Sequence, residues 1–252
     1  MSTPDPFSLA GKRILVTGAS SGIGRQIAIS CAEQGAELVI TGRNPDRLAS
    51  TYEALQGDGH QSIVADLSNA ADLDSLVTAA GVLNGVVHAA GISKLVPFRM
   101  VNETHLDEIF ASNTFAPILL TKGLLAKKRI SPQGSIVFVT SVASHIGPMA
   151  SAAYAASKAA LLGAVRTLGQ EVAKQGIRAN CIAPGYVRTP LLDGLSQGGA
   201  NMGSLLELAP LGLGEPEDVA YAAVFYLSDA SRWLTRNYFV DGGLTIPMDI
   251  YA

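Results

Sequence analysis

Short β-branched and apolar runs alternate with longer amphipathic runs along the whole 252-residue chain, and this alternation restricts the fold more than any single motif does. Strand-like runs occupy residues 14–17, 38–41, 62–65, 86–88, 135–140, 178–182 and 238–240. Helical patterns fall between them at 25–34, 45–55, 70–80, 102–128, 151–175 and 217–227. A strand that leads through a helix to the next strand of the same sheet crosses over right-handed, so the strands run parallel and helices cover both faces. The expectation is a single α/β domain spanning 1–252, doubly wound, with ligands beyond the carboxyl ends of the strands. A chain of this length buries a substantial core. No linker, internal repeat or low-complexity tract interrupts the pattern.

Composition excludes several function classes. Hydrophobic residues make up 48% and charged residues only 15%, with a formal charge of -3, so there is no basic footprint for nucleic acid. No run approaches the eighteen or so apolar residues of a membrane span, and the first six residues lack a signal peptide's basic start. Cytoplasm is therefore the expected location. Cys31 and Cys181 read as small core residues, and no metal site is expected.

Two motifs carry chemistry. The first strand-like run ends in Thr17-Gly18-Ala-Ser20-Ser21-Gly22-Ile23-Gly24 before an amphipathic run. Glycines there allow a tight turn and close approach of backbone to a ligand. The helix N-terminus behind it offers free N–H groups and a positive dipole end to a pyrophosphate. The second motif is Tyr154-Ala-Ala-Ser-Lys158, thirteen residues after Ser141. Residues four apart share a helix face, which brings an ammonium toward a phenol of ordinary pKa about 10. A positive charge ~6 Å away at an effective dielectric of ~20 favours the phenolate by roughly 2.8 kcal/mol, about two pKa units. Ser141 would hold the substrate oxygen. The alternative for the pair is a half-buried ring beside a solvated amine.

Thr17-Gly18-x3-Gly22-x-Gly24, Ala89-Ala90-Gly91, Asn113, Ser141, Tyr154-x3-Lys158 and Pro184-Gly185, in this order and at these separations, resemble the short-chain dehydrogenase/reductase family, specifically its subfamily of about 250 residues. The resemblance covers nearly the whole chain. It implies a Rossmann-type fold and a nicotinamide-dependent enzyme that interconverts a ketone and a secondary alcohol. Asn113, Ser141, Tyr154 and Lys158 would be the catalytic set, Tyr154 acting as general acid or base and Asn113 organising a water beside Lys158. Implied cofactor contacts are Gly18, Ser20, Ser21, Gly22, Ile23, Gly24, Arg43, Asp66, Leu67, Ala89, Ala90, Gly91, Tyr154, Lys158, Pro184, Gly185, Val187 and Thr189. Asp66 would meet the adenine amino group or, like Ser68, cap the next helix. His88 stands where most relatives carry Asn and reads as structural.

The second strand ends in Gly42-Arg43-Asn44-Pro45-Asp46, with no carboxylate to take a ribose 2′-hydroxyl and with a guanidinium suited to a 2′-phosphate. NADP(H) is therefore expected in preference to NAD(H). The alternative leaves Arg43 solvated or paired with Asp46, with Asn44 capping the helix that Pro45 begins. Residues 190–214 are expected to form a substrate lid with an apolar lining that includes Leu191, Leu192, Leu195, Met202, Leu205, Leu206 and Leu208. Gly198-Gly199 and Gly203 would be its hinges. His145, Met149 and Tyr186 are further substrate candidates. A small carbonyl or alcohol is the expected partner, together with further copies of the chain. Relatives pair the two long helices between subunits, which implies a homotetramer or a dimer, and the tail 244–251 would pack across the boundary. Three other readings stand beside the main one. These are a β-ketoacyl carrier-protein reductase using Lys127-Lys128-Arg129 as a docking patch, a nucleotide-sugar epimerase or dehydratase, and a non-catalytic NADP-binding regulator.

Overall fold

The computed structural model describes residues 5–197, 209–235 and 237–245, without the side chains of 195–197 and 237–239. Seven strands form one sheet: β1 (Arg13–Thr17), β2 (Glu37–Gly42), β3 (Gln61–Val64), β4 (Leu83–His88), β5 (Ile130–Val139), β6 (Arg178–Pro184) and β7 (Asn237–Val240). Their order is β3-β2-β1-β4-β5-β6-β7, and every pairing is parallel. The order reverses between β1 and β4, which opens a crevice at the carboxyl ends of these two strands.

The period-two pattern of each strand assigns its side chains to two separate cores. Ile14 and Val16 of β1, Leu38 and Ile40 of β2, and Val137 and Val139 of β5 enter one core with Ile27, Ala28 and Cys31 of α1 (Gly22–Glu33). Val219, Ala223 and Leu227 of α9 (Pro216–Leu227) complete that layer. Leu15, Val39, Ile136 and Phe138 face the opposite core. There they meet α3 (Ala70–Ala79), α5 (Ala116–Ala126) and α7 (Ala152–Val172) through Leu76, Leu120, Leu124 and Leu161. Each such fully buried aliphatic side chain contributes about 1.5–3 kcal/mol relative to exposure.

Local chemistry starts the helices. Asn44 accepts from Arg47 N at 2.9 Å and Pro45 opens α2 (Pro45–Glu53). Asn102 caps α4 (Glu103–Phe110) through His105 N at 2.9 Å. Asn69 accepts from Ala71 N and Asp72 N and caps α3, so neither Asp66 nor Ser68 has the capping role expected of it. Asp66 turns instead to Ser68, accepting from its N–H at 3.0 Å and its hydroxyl at 2.7 Å.

Four expectations about the elements need correction. The helix expected across 102–128 is broken into α4 and α5 by a π-type turn at Ala111–Phe115 and stops at Ala126. That run, Glu103–Ala126, is long and apolar enough by length and composition to cross a membrane, contrary to the expectation that no segment is. Here it packs on the domain, burying Ile109, Leu120 and Leu124. Strand β5 begins five residues early because Ile130 already pairs with Leu83. Between Ile130 and Ser135 the pairing shifts register, with Gln133 at φ 65°. Two short helices, α6 (Ala143–Ile146) and α8 (Pro190–Gln197), lie in stretches without clear periodicity. The expected hinges Gly198-Gly199 and Gly203, with Met202, Leu205, Leu206 and Leu208, lie outside the described residues, as does the tail beyond Thr245.

Candidate active site

The glycine turn is built by contact. Gly18 has φ +67°, and a Cβ there would lie 2.7 Å from the Ala90 backbone; a Cβ on Gly24 would lie 2.3 Å from the Gly18 carbonyl oxygen. No residue but glycine fits either place. Thr17 locks the turn to the end of β4, its hydroxyl accepting from Ala89 N at 3.1 Å and Ala90 N at 3.2 Å. Gly22 meets Thr189, whose γ-carbon would be 3.3 Å from a Cβ at that position. The expected contacts Gly18–Gly24, Ala89–Gly91 and Thr189 thus border one crevice. The Ser21 side chain caps nothing, and the first turn of α1 carries no acid, so its N–H groups and positive end stay open toward that crevice.

At the adenosine end, Gly42 is in close contact with Ser20, whose hydroxyl would be 3.0 Å from a Cβ there. Arg43 is exposed and makes no hydrogen bond or ion pair among the described residues, so the alternative pairing with Asp46 is not formed. The hydrogen bonds from Ser68 lower the Asp66 carboxyl pKa, and the nearby Arg43 charge adds to the effect. An open glycine cradle, an uncapped helix start and an unpaired guanidinium suit a dinucleotide with a phosphorylated ribose.

At the other end of the crevice the Ser141 hydroxyl lies beside the Tyr154 phenol and draws its pKa down. Ser141 Oγ also accepts from Ala143 N at 3.1 Å, where α6 begins. Lys158 is buried, with Nζ 6.0 Å from the Tyr154 ring centre and donating to the Val139 carbonyl at 2.8 Å. Burial lowers its pKa to about 8, against a smaller opposing influence from Cys181. The expectation that Lys158 leaves Tyr154 acidified is not met in this state. Burial raises the phenol above its ordinary value, and the neighbouring Ser141 hydroxyl only partly offsets that.

Asn113 sits in the π-type turn, buried, with every amide group in use. Its Oδ1 accepts from Ile92 N at 2.8 Å, while Nδ2 donates to Ile92 O at 2.9 Å and to Ser157 Oγ at 3.1 Å. A Cβ on Gly91 would lie 3.2 Å from Asn113 Oδ1 and 3.3 Å from Lys158 Nζ, so the absent side chain at 91 leaves these two groups facing the same small space. Sequence reasoning gave no role to Thr17 or Ser157, although both lie inside the motifs that it singled out.

The remaining candidates are more scattered. Val187 is buried and paired with Gly214, while Thr189 Oγ1 accepts from Leu192 N at 3.4 Å at the start of α8. Tyr186 is half-buried, and burial raises its phenol pKa. Leu192 packs into the fold, whereas Leu191 and Met149 are exposed, Met149 at 92%. His145 meets the Ser144 hydroxyl at 2.9 Å. The Leu195 side chain lies outside the described residues. Lys127-Lys128-Arg129 precede β5 and thus stand at the amino edge of the sheet, opposite the crevice, which removes them as a docking patch beside this site. His88 is structural as expected, its ring stacked 4.5 Å from Phe138 and Nε2 2.8 Å from Thr121 Oγ1.

Comparison with known proteins places the chain. A family profile described as Enoyl-(Acyl carrier protein) reductase matches residues 18–245. A 3-oxoacyl-[acyl-carrier-protein] reductase of Rickettsia prowazekii is 33% identical over 240 residues, 94% of this chain and 98% of its own. The 5-keto-D-gluconate 5-reductase of Escherichia coli K12 is 31% identical, covering 96% of this chain and 98% of its own. A solved structure from Beutenbergia cavernae, named for NAD(P)-dependent gluconate 5-dehydrogenase and holding NADP at low occupancy, superposes with a TM-score of 0.86 at 33% identity. It covers 95% of this chain and 99% of its own. The chain belongs to the short-chain dehydrogenase/reductase family, oxidoreductases acting on CH–OH and C=O groups.

Proposed function

We propose that this protein is an NADP(H)-dependent oxidoreductase that interconverts a ketone and a secondary alcohol, with Tyr154 as the general acid in reduction and the general base in oxidation. The observation that carries the reading is the buried Lys158 ammonium 6.0 Å from the Tyr154 ring, with the Ser141 hydroxyl beside the phenol, at the far end of a crevice that begins at an uncapped helix. When bound, the nicotinamide supplies or accepts the hydride. Ser141 orients the substrate oxygen and donates a hydrogen bond to the charge that develops there. Tyr154 passes its proton to that oxygen, and the charged Lys158 makes this loss less costly. A lysine of pKa about 8 remains mainly protonated at neutral pH, which this role requires. Pro184-Gly185, Val187 and Thr189 would hold the carboxamide side of the nicotinamide, and Arg43 the 2′-phosphate. The NADP found in the related Beutenbergia cavernae structure supports the choice of dinucleotide.

A β-keto thioester on a carrier protein is a second reading, favoured by the name of the Rickettsia relative. Lys127–Arg129 precede β5, at the sheet edge opposite the crevice, and so lend it no support. Fluorescence titration with NADPH and NADH, followed by turnover of 2-octanone, cyclohexanone, ethyl acetoacetate, acetoacetyl-CoA and 5-keto-D-gluconate, tests both readings. The proposal expects tighter NADPH binding and NADPH oxidation by at least one ketone. Failure of every carbonyl compound, and of the corresponding alcohols with NADP, would refute it. Turnover confined to acetoacetyl-CoA would favour the second reading.

A further inference from the structure

Ser157 is fully buried, directly before Lys158, and the roles assigned to Asn113, Ser141, Tyr154 and Lys158 make no use of it. Its hydroxyl makes two contacts with different parts of the site. It donates to the Tyr154 carbonyl oxygen at 2.7 Å and accepts from Asn113 Nδ2 at 3.1 Å. The first bond fixes the serine rotamer against its own helix and turns the remaining lone pairs toward the π-type turn. The second closes the last open position on the Asn113 amide, whose other groups are held by Ile92. Thr114 adds a parallel tie, donating to the Ser157 carbonyl oxygen at 2.9 Å. The helix that carries Tyr154 and Lys158 is thereby pinned to the irregular turn that carries Asn113, immediately beside the space that Gly91 leaves between Asn113 Oδ1 and Lys158 Nζ.

We infer that Ser157 is a positioning residue for proton delivery: its hydroxyl sets the Asn113 carboxamide relative to the Lys158 ammonium, and through them governs how Tyr154 regains its proton after each reduction. The inference rests on the oxidoreductase reading. A buried carboxamide that lacks one partner rotates or recruits water to satisfy the freed N–H. Without the Ser157 hydroxyl, the groups beside Lys158 lose their fixed arrangement while the nucleotide crevice, built by Gly18, Gly24 and Thr17, is untouched.

The test compares Ser157→Ala, Ser157→Thr, Asn113→Ala and the Ser157→Ala/Asn113→Ala double variant, using NADPH and whichever ketone of the panel above has the highest kcat/KM. Ser157→Ala is expected to lower kcat about tenfold, to raise the solvent deuterium isotope effect on kcat, and to leave the NADPH Kd within twofold. Ser157→Thr, which keeps the hydroxyl, is expected to recover most of kcat. In the Asn113→Ala background the same serine substitution is expected to change kcat less than twofold, because its target has gone. An undiminished tenfold loss in that background would overturn the inference, as would a kcat loss matched by an equal loss of NADPH affinity. If Ser157→Ala does not fold, hydrogen exchange of the Asn113 side-chain amide in the unmodified protein decides: slow exchange supports the pin and fast exchange refutes it. Wild-type protein that reduces no ketone refutes the oxidoreductase reading itself, a result distinct from an unaffected Ser157→Ala variant.

Discussion

His88 should make the fold sensitive to acid in a way that one substitution removes. The imidazole is buried at the end of β4, and desolvation lowers its pKa from 6.5 to about 3. Thr121 Oγ1 spends its own hydrogen on the Pro117 carbonyl oxygen at 2.8 Å, so it accepts from His88 Nε2–H, and Nδ1 is left without a hydrogen-bond partner. An unfolded chain takes up a proton on this histidine below about pH 6.5, whereas the folded chain refuses it until about pH 3. Stability is therefore complete with respect to this group above pH 6.5 and falls with pH below it, by about 1.4 kcal/mol per pH unit. Between pH 6.5 and 4.5 the loss from His88 alone is about 2.3 kcal/mol. His88→Asn should cost stability at neutral pH, since the ring stacked 4.5 Å from Phe138 is lost, but it should abolish this part of the slope. Urea unfolding of both proteins at half-unit steps from pH 7.5 to 4.5 would measure the difference, since the carboxylates common to both cancel. Parallel stability curves across that range would refute the reasoning and mean that the native state opens to protonate the ring.

Tyr154→Phe keeps the ring and removes the transferable proton, so kcat should fall by about a thousandfold or more while NADPH affinity stays within threefold; stopped-flow turnover and fluorescence titration read the two effects. Arg43→Ala should weaken NADPH binding by about ten- to a hundredfold, the equivalent of one charged hydrogen bond of about 1.5–3 kcal/mol, and change NADH binding less than twofold. An equal change in both would remove the 2′-phosphate from Arg43. Leu106, Phe115, Ile118 and Leu119 of the α4–α5 run are exposed apolar residues, and we expect them to be covered by a second copy in a tetramer. Light scattering at micromolar concentration should give four times the chain mass of 26.1 kDa, and Leu119→Lys should lower it.

Legibility in the sequence followed the physics of each segment. The strands near β1, β2 and β6 were readable because burial on both faces demands continuous apolar runs. The glycine turn was readable because Gly18 and Gly24 have no room for a Cβ. Asn113 was visible as a residue type, but the turn that bends around it was not, since nothing in Ala-Ser-Asn-Thr-Phe departs from ordinary helical composition. The edge on which Lys127–Arg129 fall became clear only once β5 was found to start at Ile130. The Tyr154 pKa was misjudged because Coulomb's law was applied to a pair at assumed depth, whereas the depth itself dominates in the folded chain. For residues 190–214 the sequence left two readings open, because their glycines and leucines fit a packed helix as well as a pocket lining.

The irregular stretch Ala111–Phe115 has a consequence for how this chain can change. A π-type turn holds one residue more than an α-helical turn, and one residue corresponds to about 100° of rotation about the axis. Deleting one residue of that stretch would remove the surplus and give a continuous α-helix, with everything downstream keeping its phase. Leu120 and Leu124 would stay in the core, and only the bend around Asn113 would be lost. The irregular turn therefore separates two tasks: the aim of Asn113 can be lost by one deletion while α5 keeps its packed face.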